Sequence, residues 1–293
     1  MPRSFAATLK AVIPAAGLGS RFLPYTKAQP KEMIPIVDKP AIQYVVEEAV
    51  ASGMNEILIV TGRGKRAIED HFDANVELDN HLARSGTTGA LRDLKALMTA
   101  ARIMYVRQPT PQGLGDAVLR ASDFVADDPF GVLLGDDITV DPPCAGVLRA
   151  AYERHGASVI ALQEVPRERI GRYGMAVGKE VERGVIRLEG LIEKPSPNQV
   201  RSTLATIGRY ILTPRIFACL RETKVGKGGE LQLTDGIQGL LGKEDVYGVL
   251  YRGRRYDVGD KLGWLETNLE FAMKREDLRA GLLDAVKRIR NSN

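Results

Sequence analysis

Short apolar runs alternate with amphipathic segments through the first half of the chain. The apolar runs have the length and composition of buried strands and cover residues 11–16, 57–60, 103–106, 132–134 and 159–162. Apolar residues recur at helical spacing between them, most clearly at 42–50 and also at 91–101, 116–124 and 145–155. Strands that alternate with helices predict an α/β fold with a mostly parallel sheet and with ligands at the carboxyl ends of the strands.

The second half of the chain has a different pattern. Strands are predicted at 174–177, 185–188, 204–212 and 246–250, and helices at 214–220 and 232–241. This pattern predicts a mixed insertion around the same sheet, roughly residues 165–250, that supplies a lid over the ligand. The glycine-rich stretch at 224–229 is predicted to be a mobile loop.

Two long helical patterns, at 261–273 and 276–289, end the chain. We therefore expect a catalytic domain over residues 1–260 and a C-terminal helical segment over 261–293. That segment either joins the chain into a homo-oligomer or packs onto its own domain. Together the elements predict a Rossmann-like, mostly parallel mixed sheet flanked by helices, with an insertion and a C-terminal helical tail.

Charge and composition exclude several classes of function. The 41 Lys and Arg residues against 37 Asp and Glu residues give a net charge of +4, which is too small for a nucleic-acid-binding surface. Cys144 and Cys219 are too few for a disulfide framework and lack metal-ligand spacing, so each is predicted to be a small buried residue. No apolar stretch reaches the ~18 residues of a membrane span. We expect a cytoplasmic protein without nucleic-acid or membrane partners.

The first predicted strand runs into a glycine-rich loop. Glycines let the backbone turn tightly, so that its N–H groups can face a phosphate at close range. The candidate nucleotide-binding residues of this loop are Ala15, Ala16, Gly17 and Gly19. Arg21 follows the loop, and Lys31 lies beyond two prolines that stiffen the connection. The loop alone is compatible with a bare structural turn, but the two cations favour a bound triphosphate over solvated surface charges.

Two familiar nucleotide-binding motifs do not fit this loop. A nicotinamide dinucleotide site needs a third glycine where this chain has Phe22, which is too bulky for the close helix–strand packing of that motif. The Walker pattern G-x-x-x-x-G-K-[ST] is also absent. A nicotinamide oxidoreductase is therefore disfavoured.

Polar residues in two further loops are candidate ligand contacts. Gln108 carries an amide that can pair with a pyrimidine edge, and Gly113 lets a base approach the backbone. The alternative is a loop without ligand contact. Asp136 follows the fourth strand, where a carboxylate is unfavourable unless it is solvated or binds a cation such as Mg²⁺. The alternative for Asp136 is a helix cap or a turn.

A third candidate group lies in the insertion. Glu193 can accept hydrogen bonds from hydroxyl groups of a ligand and Lys194 can hold a phosphate, whereas the alternative is a surface salt bridge. Successive side chains of a strand point to opposite faces, so both reach one ligand only if the strand is twisted or broken there, and Pro195 favours a break. Tyr173 and Gly174 can place a backbone amide against the same ligand, or Tyr173 only packs.

A long stretch of the chain resembles one enzyme family. The opening of the bacterial UTP–glucose-1-phosphate uridylyltransferases, also called UDP-glucose pyrophosphorylases, is very similar to AVIPAAGLGSRFLPYTKAQPKEMIPIVDKPAIQYVVEEAV. The match continues in family order with VRQPTPQGLGDAV, LLGDD, RYGMAV, IEKP, IGRYIL, GGELQLTD and YDVGDKLGW. It extends from about Lys10 to Trp264, nearly the whole chain. So long a colinear set of motifs is specific to the family.

The resemblance implies Mg²⁺-dependent transfer of a uridylyl group from UTP to glucose 1-phosphate, with UDP-glucose and pyrophosphate as products. It assigns Gln108 and Gly113 to the uracil site, and it makes the insertion the sugar-binding part, with Tyr173, Gly174, Glu193 and Lys194 at the sugar. It implies that Asp136 binds the metal. Asp257 aligns with the position that gives a second metal carboxylate in the related thymidylyltransferases.

Catalysis in such an enzyme depends mainly on positioning and charge. We expect Arg21 and Lys31 to neutralise the triphosphate and the departing pyrophosphate, and Lys194 to hold the sugar phosphate. A thymidylyltransferase that uses dTTP is one alternative, because the run LGD at 134–136 resembles that group, whereas PKEMIPIVDKP and GGELQLTD resemble the uridine group. A non-catalytic subunit that binds nucleotide sugar is the other, and the presence of Arg21, Lys31 and Asp136 disfavours it.

Overall fold

A computed structural model describes residues 9–226 and 229–292. Its helices are α1 Ala41–Ala51, α2 Arg66–Phe72, α3 Val76–Ser85, α4 Arg92–Ala100, α5 Leu114–Leu119, α6 Ser122–Val125, α7 Cys144–His155, α8 Arg215–Glu222, α9 Leu233–Leu240, α10 Lys261–Lys274 and α11 Glu276–Asn291. Its strands are β1 Lys10–Pro14, β2 Pro35–Ile36, β3 Lys39–Pro40, β4 Glu56–Thr61, β5 Arg102–Arg107, β6 Phe130–Leu133, β7 Asp137–Val140, β8 Ser158–Glu164, β9 Gly174–Glu182, β10 Val185–Glu193, β11 Leu204–Leu212, β12 Val246–Leu250 and β13 Arg254–Asp257. The loop predicted at 224–229 includes residues 227 and 228, which lie outside the described residues.

Nine strands form one sheet in the order β5-β4-β1-β6-β11-β8-β12-β10-β9. The parallel pairs are β5–β4, β4–β1, β1–β6 and β8–β12. In contrast, β11 and β10 run antiparallel to their neighbours. Seven of the nine strands therefore point in one direction, and only β11 and β10 point in the other. This confirms the predicted mostly parallel mixed sheet, which the strands of the second half extend. Two short antiparallel ribbons, β2–β3 and β7–β13, lie outside this sheet.

Helices cover both faces of the sheet because its central strands are apolar at successive positions. Side chains alternate along a strand, so Ile13 of β1 joins the core under α1 and α7, and Val12 joins the core under α5, α8 and α9. Cys144 and Cys219 lie in these two cores as buried free thiols, as predicted. With both faces covered, the carboxyl ends of the parallel strands form the accessible edge.

Several elements differ from the apolar pattern. The helix predicted at 116–124 is two short helices, α5 and α6. Helices α2 and α3 occupy a region where the pattern predicts none. Helix α2 has seven residues and buries only Ile68 and Phe72, and α3 buries no side chain, so neither has a long apolar stripe. The ribbon β7–β13 is also absent from the prediction, because its strands have only four residues each and carry charged residues.

The two C-terminal helices differ in how they pack. Trp264 and Phe271 of α10 pack against the cluster that contains Ile36 and Tyr256, so this helix lies on its own domain. Helix α11 is described over its full length, and none of its residues is buried. The packing alternative thus applies to α10, and oligomerisation through the tail stays a prediction. Among the described helices, none combines the length and the hydrophobicity of a membrane-spanning segment.

A buried ion pair ties α1 to β11. Arg209 is fully buried, and its guanidinium donates to both carboxylate oxygens of Glu48, with a shortest distance of 2.7 Å. Glu48 also accepts a hydrogen bond from the backbone nitrogen of Ala145 at 2.9 Å. The same guanidinium donates to the carbonyl oxygens of Leu134 and Asp137. Arg209 therefore fixes the backbone of the loop that follows β6.

We predict that Arg209→Met lowers the free energy of unfolding by about 3–5 kcal/mol, because it leaves the Glu48 carboxylate buried without its cation. Urea unfolding followed by circular dichroism measures this change. Arg66→Met is the matched control, since Arg66 pairs with Asp70 on an exposed helix face, and it should change stability little. Equal effects of the two substitutions would show that the buried pair does not stabilise the fold.

Candidate active site

A cavity of about 550 Å³ opens at the carboxyl ends of β1, β5 and β6. Loops that follow parallel strands converge at one edge of a sheet, which explains why distant segments meet here. The predicted residues that line the cavity are Ala16, Gly17, Gly19, Arg21, Lys31, Gln108, Gly113, Asp136, Tyr173, Gly174, Glu193, Lys194 and Asp257. Ala15 does not line it: the residue is fully buried, and its N–H donates to the carbonyl oxygen of Val60 at 2.8 Å. Ala15 therefore supports the loop from below and offers no N–H to a ligand.

The glycine loop after β1 lies against the side chain of Lys31. Gly19 has a φ of 66°, a left-handed conformation that favours glycine. A β-carbon on Gly19 would lie 3.0 Å from Cβ of Lys31 and 3.0 Å from Cγ2 of Thr26. Thr26 also donates from its hydroxyl to the carbonyl oxygen of Gly19 at 2.8 Å. These contacts hold the loop close to Lys31, with Gly17 exposed at its tip.

Lys31 forms an ion pair with Asp136, with 2.5 Å between Nζ and Oδ2. Burial raises the pKa of the Asp136 carboxyl, but Lys31 and Arg21 outweigh burial and hold that pKa below its ordinary value. Burial lowers the pKa of Lys31, but Asp136 and Glu32 outweigh it and raise that pKa above its ordinary value. Both groups are therefore charged at neutral pH. Arg21 lies nearby with an exposed side chain and donates to the carbonyl oxygen of Gly259 at 3.4 Å.

The two predicted metal ligands, Asp136 and Asp257, converge beside Gly259. The β7–β13 register pairs Asp137 with Asp257, and the backbone nitrogen of Val258 donates to the carbonyl oxygen of Asp136 at 3.1 Å. A β-carbon on Gly259 would lie 3.0 Å from Oδ2 of Asp136 and 3.0 Å from Oδ1 of Asp257. Burial and the neighbouring Asp137 raise the pKa of Asp257 above its ordinary value. A cation bound between Asp136 and Asp257 would offset the repulsion between their negative charges.

Arg255 organises the acidic residues in a way that sequence reasoning missed. It donates to the two carboxylate oxygens of Asp137 at 2.6 and 3.0 Å, and it lies 3.6 Å from Asp257. Its guanidinium also lies over the ring of Tyr173, 5.3 Å from the ring centroid. Burial lowers the pKa of Arg255, but Asp137 and Asp257 outweigh burial and raise it above its ordinary value. One permanently charged side chain thus orients two aspartates and one tyrosine.

Gln108 is buried at the end of β5, and its amide nitrogen is already used inside the protein. It donates to Oδ2 of Asp116 at 2.7 Å and to the carbonyl oxygen of Gly113 at 3.1 Å. The amide oxygen accepts no hydrogen bond from the described residues. Because that oxygen lies on a residue that lines the cavity, it is the group through which Gln108 can accept a hydrogen bond from a ligand.

The segment at 229–232 docks onto the loop that follows β5 through backbone hydrogen bonds. The nitrogen of Leu231 donates to the carbonyl oxygen of Gln112 at 2.7 Å, and the nitrogen of Gly115 donates to the carbonyl oxygen of Leu231 at 2.8 Å. Gly113 has a φ of 104°, and a β-carbon there would lie 2.5 Å from the Leu231 oxygen. Only glycine permits this close approach.

The β9–β10 pairing brings the four predicted sugar-binding residues together. It places Gly174 opposite Glu193, and the backbone nitrogen of Lys194 donates to the carbonyl oxygen of Tyr173 at 3.1 Å. Strand β10 ends at Glu193, and Lys194 has a φ of 40°, so the strand breaks before Pro195 as expected. The carboxylate of Glu193 and the ammonium of Lys194 consequently lie 3.2 Å apart in a partly exposed ion pair.

Two other residues of the cavity were missed from sequence. Thr234 donates from its hydroxyl to Oε2 of Glu193 at 2.7 Å, and Glu32 is fully buried beside Lys31. Both lie inside motifs that carry the family resemblance, so the motifs mark their segments but not their contacts. No spacing rule links Arg255 to Asp137, because the two are 118 positions apart.

Comparison with known proteins identifies relatives over nearly the whole chain. Residues 10–274 match the family described as Nucleotidyl transferase. The UTP–glucose-1-phosphate uridylyltransferase of Bacillus subtilis (strain 168) is 49% identical over 283 residues, which cover 96% of this chain and 97% of that relative. A protein of the same name from Streptococcus pneumoniae serotype 4 (strain ATCC BAA-334 / TIGR4) is 48% identical over 290 residues, with the same coverage of 96% and 97%.

The fold is also that of solved relatives. A crystal structure of UDP-glucose pyrophosphorylase complexed with UDP-glucose has a TM-score of 0.85 and 40% sequence identity, and the match covers 92% of this chain and 100% of that one. This likeness confirms the predicted α/β fold, with helices on both sides of the sheet and at the C-terminus.

We predict that Gly113→Ala separates the segment at 229–232 from the loop after β5, because the new β-carbon would clash with the Leu231 carbonyl. Hydrogen–deuterium exchange should become faster at the amides of Leu231 and Gly115. Gly86→Ala is the matched control, since Gly86 has a φ of 71° but nothing within 4 Å of an added β-carbon. Faster exchange in both variants, or in neither, would mean that the clash does not control this docking.

Proposed function

This chain belongs to the nucleotidyl transferase family, and from that premise we propose that it transfers a uridylyl group from UTP to glucose 1-phosphate, forming UDP-glucose and pyrophosphate. The observation that carries the proposal is the composition of a single cavity. A glycine loop with Lys31, the neighbouring residues Glu193 and Lys194, and the carboxylates of Asp136 and Asp257 all line it. These are the groups needed to bind a triphosphate, a cation and a sugar phosphate together.

We propose that the nucleotide half of the cavity holds UTP. The N–H groups of Ala16, Gly17 and Gly19, which line the cavity, bind phosphate oxygens, because backbone amides at a tight turn form an anion-binding concavity. Gln108 accepts the N3–H of uracil through its amide oxygen, since its nitrogen is held by Asp116. Gly113 lines the cavity next to Gln108, whose amide nitrogen donates to its carbonyl oxygen, and completes the proposed uracil site.

The sugar half belongs to the segment at 165–250, which we propose as the sugar-binding insertion of a catalytic domain over residues 1–260. Glu193 accepts hydrogen bonds from ring hydroxyls, Lys194 binds the sugar phosphate, and the N–H of Gly174 faces the sugar beside Tyr173. The β9–β10 register supports this assignment, because it brings these four residues together in the lining of the cavity.

The proposed reaction is an in-line displacement. An oxygen of glucose 1-phosphate attacks the α-phosphorus of UTP, a new P–O bond forms, and the bond to the β-phosphate oxygen breaks so that pyrophosphate leaves. No covalent enzyme intermediate is required, because such transfers depend on positioning and on charge stabilisation. Arg21 and Lys31 stabilise the charge on the triphosphate and the leaving group, and Lys194 offsets the repulsion between the two phosphates.

We propose Mg²⁺ as the cation of this site. The donor set fits, because Mg²⁺ typically takes one or two carboxylates and completes its coordination with phosphate oxygens and waters. Asp136 and Asp257 each supply a carboxylate oxygen 3.0 Å from the point where a β-carbon on Gly259 would lie. When bound, the ion neutralises negative charge on the phosphates.

We also propose that the protein is a homo-oligomer of the cytoplasm. The exposed apolar residues Leu283, Val286 and Ile289 on α11 support a contact between copies through the C-terminal helices. Buried cysteines without a disulfide among the described residues support a reducing compartment.

Pyrophosphate release with each nucleoside triphosphate and several sugar 1-phosphates tests the proposed function. We expect the highest kcat/KM with UTP and glucose 1-phosphate in the presence of Mg²⁺. A higher kcat/KM with dTTP would instead identify a thymidylyltransferase. Binding of UDP-glucose without any turnover would identify a non-catalytic subunit.

We predict that Asp136→Asn lowers kcat on the order of 10²-fold or more, because the substitution removes a charge that acts on the transition state while it preserves the shape. Asp257→Asn should have a smaller effect if Asp136 and the phosphates hold most of the metal. Titration of activity with Mg²⁺ measures both effects. The control Asp70→Asn alters an exposed aspartate of α2 and should leave activity unchanged. An unaltered Mg²⁺ dependence in Asp136→Asn would contradict the assignment.

We predict that Glu193→Ala raises the KM for glucose 1-phosphate and barely changes the KM for UTP, because it removes acceptors for sugar hydroxyls alone. Lys194→Ala should damage both sugar-phosphate binding and kcat. Initial-rate kinetics with each substrate varied in turn separates these effects. Glu189→Ala is the matched control, since Glu189 lies on the same strand but pairs with the exposed Lys179. If Glu193→Ala weakened UTP alone, the proposed sugar pocket would be misplaced.

A further inference from the structure

Glu32 is a buried carboxylate at the edge of the cavity whose two oxygens have unequal environments. The residue has no exposed surface, and it lines the cavity beside Lys31. Its Oε2 accepts a hydrogen bond from the buried ammonium of Lys65 at 2.8 Å. Its Oε1 is buried and has no hydrogen-bond partner among the described residues, and it lies 4.0 Å from Nζ of Lys31.

An unpartnered carboxylate oxygen in a protein interior is unfavourable, because burial removes its water and nothing replaces the lost hydrogen bonds. Lys65 compensates the charge of Glu32 from one side only. The ammonium of Lys31 lies 4.0 Å from the free oxygen and is turned toward Asp136 instead. The distance of 4.0 Å is too long for a hydrogen bond, but a change in the lysine side chain torsions is enough to close it.

The ammonium of Lys31 is therefore close to two carboxylates. Asp136 holds it at 2.5 Å, and Glu32 offers a free acceptor 4.0 Å away. Under the proposed function, Asp136 must turn its charge toward a divalent cation, and Lys31 must turn toward the triphosphate. The ammonium then loses the carboxylate that holds it in the present arrangement. An ammonium has three donors, so it can bind a phosphate and a second carboxylate at the same time.

We propose that Glu32 is a positioning residue that takes over the ammonium of Lys31 when Asp136 binds the metal. This inference rests on the proposed function and adds a role to a residue that does not itself touch the substrates. Glu32 compensates the charge of Lys31 during the exchange and keeps the ammonium beside the glycine loop. Because its position is fixed by Lys65, the second carboxylate is already in place before the nucleotide and the metal arrive.

A purely structural role is the competing explanation. In that case Glu32 serves only to neutralise Lys65, and removal of either partner would disturb the site in the same way. The two explanations predict different effects of removing Lys65 on the gain in UTP affinity that Mg²⁺ gives. If Glu32 acts on Lys31, removal of Lys65 leaves Glu32 with Lys31 as its nearest cation, which draws the ammonium away from Asp136 and frees that carboxylate for the metal.

Calorimetric titration of UTP with and without Mg²⁺ tests the inference without relying on turnover. The measured quantity is the factor by which Mg²⁺ tightens UTP binding. We expect Glu32→Gln to reduce this factor about tenfold or more, the effect of one lost hydrogen bond to a charged group. Binding of UTP without metal should change little, because Lys31 stays paired with Asp136 under that condition. Lys65→Met should preserve or increase the factor.

Two further variants control for an uncompensated Lys65 and for the loss of a carboxylate elsewhere in the protein. Glu32→Gln/Lys65→Met removes both charges of the buried pair, so its effect on UTP binding cannot come from an uncompensated Lys65, and it should show the same reduction as Glu32→Gln. Glu47→Gln is the matched control on α1, where the side chain contacts Lys39 and Gln43 away from the cavity, and it should leave the factor unchanged. Circular dichroism and thermal unfolding confirm that each variant is folded.

The outcomes distinguish a failure of the role of Glu32 from a failure of the proposed function. An unchanged factor in folded Glu32→Gln/Lys65→Met overturns the role of Glu32, and so does an equal reduction in Lys65→Met and Glu32→Gln. A wild-type protein that does not bind UTP under any condition contradicts the proposed function, and the inference falls with it. A wild-type protein that binds UTP more tightly with Mg²⁺ while Glu32→Gln loses that gain supports the inference.

Discussion

Two arginines, the fully buried Arg209 and the largely buried Arg255, fix the acidic loop at residues 134–137 on which the cavity depends. A guanidinium is unfavourable in a protein interior unless carboxylates and carbonyl groups surround it, and both arginines meet this condition. Arg209 donates to the carbonyl oxygens of Leu134 and Asp137, which lie on either side of Asp136. Arg255 donates to the carboxylate of Asp137. The backbone and one neighbour of Asp136 are thereby held from two directions, and its own side chain is left to face the cavity.

The same arrangement explains why the two halves of the chain act as one site. The acidic loop comes from the first half, whereas the arginines belong to β11 and β13 of the second. A second connection runs through the segment at 230–234: Leu231 pairs with the loop after β5, and Thr234 donates to Glu193. One short segment therefore contacts both the proposed base site and the proposed sugar site. A shift of this segment would change the binding of both substrates.

The apolar pattern was sufficient for the sheet but not for the polar contacts within the site. Apolar runs determine which segments are buried, so most strands and the mixed sheet could be predicted. The motifs contain most residues that line the cavity, but they also contain Ala15, which does not line it. Ala15 cannot be distinguished from Ala16 by sequence, because what sets it apart is the hydrogen bond from its N–H to the carbonyl oxygen of Val60. Asp136 and Asp137 are adjacent and chemically identical, and only the β7–β13 register decides that Arg255 binds the second one. Register depends on the whole fold and leaves no local signal.

Every cation that we assign to a phosphate, except Arg21, is paired with a carboxylate that we assign to another part of the reaction. Lys31 lies on Asp136, and Lys194 lies on Glu193. A phosphate that takes one of these ammonium groups leaves a carboxylate without its cation, and a metal ion or a sugar hydroxyl then replaces it. A phosphate alone binds more weakly, because it must compete with an existing ion pair in a partly buried site. The complete substrates satisfy both members of each pair, so the resting ion pairs favour UTP with its metal and an intact sugar phosphate over fragments of either.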